Sequence, residues 1–104
     1  VAFQPHLFSR TRDHYETFGS VFSNCDELLV CDIYPARELP IEGVTGELIS
    51  KSAQERGHRD ARFVGEKENV LSTLSGTLSE KDLVVLMGAG NITQLGRQLL
   101  ENDF

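Results

Sequence analysis

The chain has 104 residues, 39% hydrophobic and 25% charged, with nine Gly, three Pro and a formal net charge of -6. A chain of this size hides roughly 65% of the surface its unfolded form exposes, enough for one core and no second domain, so residues 1–104 are read as a single folded unit. The negative balance excludes a general nucleic-acid or membrane-surface binder, since such contacts need positive charge against phosphates, and no apolar run approaches the roughly 20 residues that span a bilayer.

Val1-Ala-Phe3 is a short apolar run that stops at Gln4-Pro5, where Pro5 cannot donate a sheet hydrogen bond; a first strand is expected there. From Thr11 the spacing of Tyr15, Phe18, Val21 and Phe22 is helical, with Thr11 as N-cap and Asp13 in the first turn. Residues 28–34 are nearly continuous apolar sequence, the pattern of a strand covered on both faces. Two Pro and a Gly among charges make 34–43 a loop. A second helix follows over 45–56, stopped by Gly57.

Residues 61–64 read as a third strand. A third helix is expected over 67–78, with Val70, Leu71, Leu74 and Leu78 on one face and Gly76 weakening it by about 1 kcal/mol. Residues 83–87 are the most continuous buried-strand pattern in the chain. Gly88-Ala-Gly90 turns, and Asn91 is expected to cap a last helix that faces Ile92, Leu95 and Leu99 inward. The alternation of strand and helix predicts an α/β fold: a Rossmann-like, three-layer domain with a mainly parallel sheet and right-handed crossovers. Because the chain opens on a strand at Val1, without Met, it is expected to be a piece of a larger protein, truncated at its N-terminus by at least one strand and helix.

Ligands of open parallel sheets collect beyond the carboxyl ends of the strands, which selects residues 4–12, 32–38 and 88–92. These hold His6, Arg10, Arg12 and Arg37. A guanidinium fork suits a carboxylate or phosphate, and a helix starting near Thr11 would add free N–H groups; equally, Arg10 and Arg12 could pair with Asp13, Glu16 or Glu38. His6 could serve as a base, a ligand contact or a polar loop residue, whereas His14 and His58 are read as facing solvent. Gly88 and Gly90 would let backbone approach either a ligand or a neighbouring loop. Asp32 could meet Mg or cap a turn. The histidines share no metal-ligand spacing, no G-x-x-x-x-G-K-[ST] loop occurs, and the C-x5-C spacing of Cys25 and Cys31 suits neither a redox pair nor zinc. Inert buried thiols in a reducing cytoplasm are expected.

Phe3-Gln-Pro-His-Leu-Phe-Ser-Arg-Thr-Arg-Asp13, with Asp32-Ile-Tyr-Pro-Ala-Arg-Glu38, Pro40-Ile-Glu-Gly43 and Gly88-Ala-Gly-Asn-Ile92, resembles the C-terminal domain of the Mur ligase family in order and spacing. The likeness is to the branch that adds the first amino acid of the peptidoglycan stem. The resemblance implies a parent enzyme that activates the lactyl carboxylate of UDP-N-acetylmuramic acid with ATP and Mg as an acyl phosphate, which the amine of L-alanine attacks. It implies that His6, Arg10 and Thr11 face the active site, with Arg10 holding a carboxylate or phosphate. Leu7 stands where many members have a further arginine, so Arg10 or Arg37 would have to cover that contact. Gly88, Gly90 and Asn91 are the candidate points of close approach to a nucleotide or to backbone, and no catalytic or metal-binding residue is assigned. The family's Gly-His-His-Pro segment and P-loop are not in these residues, so ATP and Mg would be held elsewhere and the fragment alone would not ligate. A family member that recycles murein tripeptide, a free-standing binding module and a non-catalytic interaction domain are the alternatives.

Overall fold

The computed structural model describes residues 1–101. Four strands, β1 (Ala2–Gln4), β2 (Leu28–Cys31), β3 (Ala61–Gly65) and β4 (Leu86–Gly88), form one sheet in the order β3-β2-β1-β4. Every pairing is parallel. Helices α1 (Phe8–Val21), α2 (Glu47–Glu55), α3 (Asn69–Leu74) and α4 (Leu95–Glu101) alternate with the strands, the last preceded by a 3-10 turn over Ile92–Gln94. This is the expected α/β, Rossmann-like architecture.

Side chains alternate across β2, so Leu28 and Val30 meet one core and Leu29 and Cys31 the other. The first core joins Ile49 and Ala53 of α2 to Phe22, with Phe3 against Phe18 and Phe22 at ring separations of 5.4 and 5.1 Å. The second joins Val70 and Leu74 of α3 to Ile92 and Leu95. The path explains the division. From β1 to β3 the chain steps in one direction, then returns past both strands to β4, and right-handed crossovers place the two sets of helices on opposite faces.

Gly57 ends α2 as expected. At φ 95 it lets its own N–H reach the Gln54 carbonyl at 3.0 Å and the His58 N–H reach the Ala53 carbonyl at 3.0 Å, the paired bonds of a Schellman motif. Other boundaries moved. The first helix starts at Phe8, not after Thr11, because Leu7 at φ 71 turns the chain and its N–H is held by the Tyr34 carbonyl at 3.0 Å. Thr11 is inside the helix, fully buried, and its hydroxyl donates to the Leu7 carbonyl at 3.0 Å. The third helix stops at Leu74, since Ser75 takes an extended ψ of 124 and Gly76 a left-handed φ of 79.

The run at 83–87 is corrected most. Only Leu86–Gly88 is strand, and it lies at the sheet edge with one neighbour. Val84 and Leu86 pack on the second core, whereas Leu83, Val85 and Met87 are exposed, Leu83 at 86%. An edge strand covered on one face needs only every second residue to be apolar, so the continuous run overstated its burial.

Candidate functional site

At the carboxyl edge of the sheet, β1 runs through Pro5 into His6, which makes an isolated parallel bridge with Tyr34 beyond β2. The bridge rests on Tyr34 N–H donating to the Pro5 carbonyl at 2.7 Å. The His6 ring lies over Tyr34, centroids 6.1 Å apart and 23° from parallel. His6 is half-buried and Tyr34 lies at the surface.

Glu38 joins the loop after β2 to the start of α1. Its carboxylate accepts the Ser9 N–H at 3.0 Å and also the Ser9 hydroxyl, and these bonds hold its pKa below the ordinary carboxylate value. One of the expected free N–H groups at this helix start, that of Ser9, is therefore met by Glu38. Ser9 is followed by Arg10 and Glu38 preceded by Arg37, so the same bond brings the segments carrying both arginines together. Arg10 and Arg37 are exposed, and among the described residues neither belongs to an ion pair. Arg12 does pair, with Asp13 at 2.9 Å. Hydrogen bonding and charge attraction within that pair raise the pKa of Arg12 and lower that of Asp13.

Thr11, expected on the active-site face, has its hydroxyl committed to Leu7 and secures the turn that presents His6 and Arg10. Asn91 makes no cap bond: its Oδ1 accepts from Gln4 Nε2 at 3.3 Å. Gly88 and Gly90 stand against the neighbouring segments, where a Cβ on Gly90 would come within 2.6 Å of Tyr34 Cδ2 and 2.7 Å of Gln4 Oε1. Gln4, Tyr34 and Glu38 fall within the loops expected to meet ligand, but sequence reading assigned Gln4 and Tyr34 no role of their own and Glu38 only that of a partner for Arg10 or Arg12. A glutamine closing an apolar strand was the one available signal, because a buried amide must find partners.

Asp32 is exposed and its backbone N–H meets the Gly65 carbonyl at 2.7 Å. Among the described residues no three His, Cys, Asp or Glu side chains converge as metal ligands, and no helix is long and apolar enough to cross a membrane. His58 corrects its solvent-facing reading: it is half-buried, accepts the Asp60 N–H on Nδ1 at 3.1 Å and approaches Cys25 Sγ with Nε2 at 3.5 Å. Both thiols are free; Cys31 is buried, but Cys25, expected buried as well, is only half-buried. A concavity of about 510 Å³ lined by Val1, Asn24, Leu78, Asp82 and Val85 lies at the amino ends of β1 and β4, opposite the edge where parallel sheets bind ligands.

The parallel sheet and its alternating helices define a Rossmann-like α/β domain, with His6, Arg10 and Arg37 on the segments at its carboxyl edge. No protein-family model matches the chain. Relatives carrying the name UDP-N-acetylmuramate--L-alanine ligase do: that of Geotalea daltonii is 45% identical over 97% of the chain, that of Cutibacterium acnes 47% over 96%, and that of Xylella fastidiosa 36% over the whole chain. The chain spans 21 to 22% of the length of these relatives. It belongs to the Mur ligase family and matches a C-terminal stretch of these relatives.

Proposed function

We propose that these residues are the closing domain of an ATP-dependent ligase that forms an amide between the carboxylate of UDP-N-acetylmuramate and the amine of L-alanine. The observation that carries the reading is Arg10: it is exposed, has no ion-pair partner among the described residues, and lies in the first turn of α1, which follows the His6–Tyr34 bridge in the chain. It also lies within the segment from Phe3 to Asp13 that resembles the family.

A guanidinium there grips a carboxylate through two parallel N–H donors, fixing L-alanine while its amine is presented. Arg37, on the segment that Glu38 ties to α1, offers a second positive group, and His6 is held at the same edge by Tyr34. Docking of the domain would exclude water from the reacting centre. These residues hold no P-loop, and among the described residues no cluster of acidic, His or Cys side chains could hold Mg, so the main seats of ATP and Mg are assigned to the rest of the relatives' length. On this reading the 104 residues alone do not ligate, and the whole protein works in the cytoplasm of a cell that builds peptidoglycan.

The test is alanine-dependent phosphate release by the full-length parent, with Arg10→Ala beside the wild type. A fall of at least about tenfold in kcat/KM, or about 1.4 kcal/mol of transition-state stabilisation, is expected. Full activity in the variant removes Arg10 from the site, and an inactive wild type removes the ligase reading.

A further inference from the structure

From β1 the chain departs to α1 on one face of the sheet, and from β4 to α4 on the other. Neighbouring strands that part in this way open the crevice where parallel α/β sheets take ligands. Gln4 ends β1 at this crevice, paired in register with Gly88 and only 7% exposed. The Ile92 N–H donates to its Oε1 at 3.2 Å. A backbone N–H can only donate, so this bond settles which end of the Gln4 carboxamide is oxygen and which is NH2. The NH2 end donates to Asn91 Oδ1 at 3.3 Å, and that bond orients the second amide in turn. Asn91 is half-buried at the rim, and its Nδ2 has no hydrogen-bond partner among the described residues. Gly90 permits the arrangement, since a Cβ there would press on Gln4 Oε1.

We infer that Gln4 is a positioning residue: it turns Asn91 so that this amide offers the crevice its two N–H donors and not its oxygen, a polarity that suits an acceptor oxygen and binds an anionic one most strongly. Two substrates can supply that oxygen, the carboxylate of L-alanine or a phosphate of ATP. The inference rests on the ligase reading and adds to it the pair that sets the electrical sense of the crevice.

The experiment measures KM and kcat of the full-length ligase for L-alanine and for ATP, each varied with the other substrates saturating. Asn91→Asp keeps the acceptor for Gln4 and replaces the outward NH2 by an anionic oxygen. Gln4→Met removes the relay and frees the Asn91 amide to rotate. Each is expected to raise one KM by at least about tenfold, for L-alanine if the oxygen is its carboxylate and for ATP if it is a phosphate. The double variant is expected to be no worse than the poorer single one, because both act on one group. If Gln4→Met does not fold, Gln4→Glu replaces it, keeping the acceptor for Ile92 and, when ionised, losing the donor to Asn91. An active wild type with both KM values unchanged in Asn91→Asp, or independent multiplying effects in the double variant, overturns the inference alone. An inactive wild type overturns the ligase reading and the inference with it.

Discussion

Glu38 caps a helix to which it does not belong: from the loop after β2 it takes the Ser9 N–H, in the first turn of α1, into its carboxylate at 3.0 Å. The capping group that the sequence placed on Thr11 comes instead from a residue 29 positions away from Ser9. Helix starts leave N–H groups that need acceptors, and any carboxylate the fold delivers can serve.

The bond makes acid stability depend on Glu38. Its folded pKa lies below the ordinary carboxylate value, so its contribution is present above the unfolded pKa, about 4.3, and is lost as pH falls through the folded value. Glu38→Gln is expected to have a lower unfolding midpoint at neutral pH and a flatter decline in acid, read from thermal melts across the acid limb. Parallel declines in both proteins would show that Glu38 does not contribute.

The thiols are expected to separate. Burial pushes the Cys31 pKa from 9.0 to about 12, and burial also raises that of Cys25. A thiol-specific reagent on the native chain should modify Cys25 slowly and Cys31 only on unfolding. A raised thiol pKa contributes stability below the unfolded value that is lost as pH rises from 9.0 toward about 12; Cys31→Ala should therefore show a flatter alkaline decline. Equal labelling of both thiols in the folded chain would contradict the burial.

Two leucines from similar apolar runs should respond very differently. Leu28 is 0% exposed and Leu83 86%. Leu28→Ala is expected to cost about 2–5 kcal/mol through lost burial and a cavity, and Leu83→Ala to stay within about 0.5 kcal/mol, both by denaturant unfolding. Comparable losses would restore residues 83–87 as a buried strand.

The sequence by itself determined the alternation of elements, the parallel sheet and the end of α2, because these follow from local periodicity and from a glycine that alone adopts φ 95 without penalty. The segment from Phe3 to Asp13 likewise marked the carboxyl-edge loop and its arginines. Tertiary structure decided which strand would lie at the edge, and so why Leu83 is exposed although its run is as apolar as β2. It also decided which arginine stays unpaired: Arg12 closes on its neighbour Asp13, while the nearby Glu38 is taken by Ser9. The Gln4–Asn91 pair, 87 residues apart, had no signature in local spacing. Hydrogen bonds between distant segments depend on which strands the fold makes neighbours, and β1 and β4 become neighbours only when the chain has doubled back across the sheet.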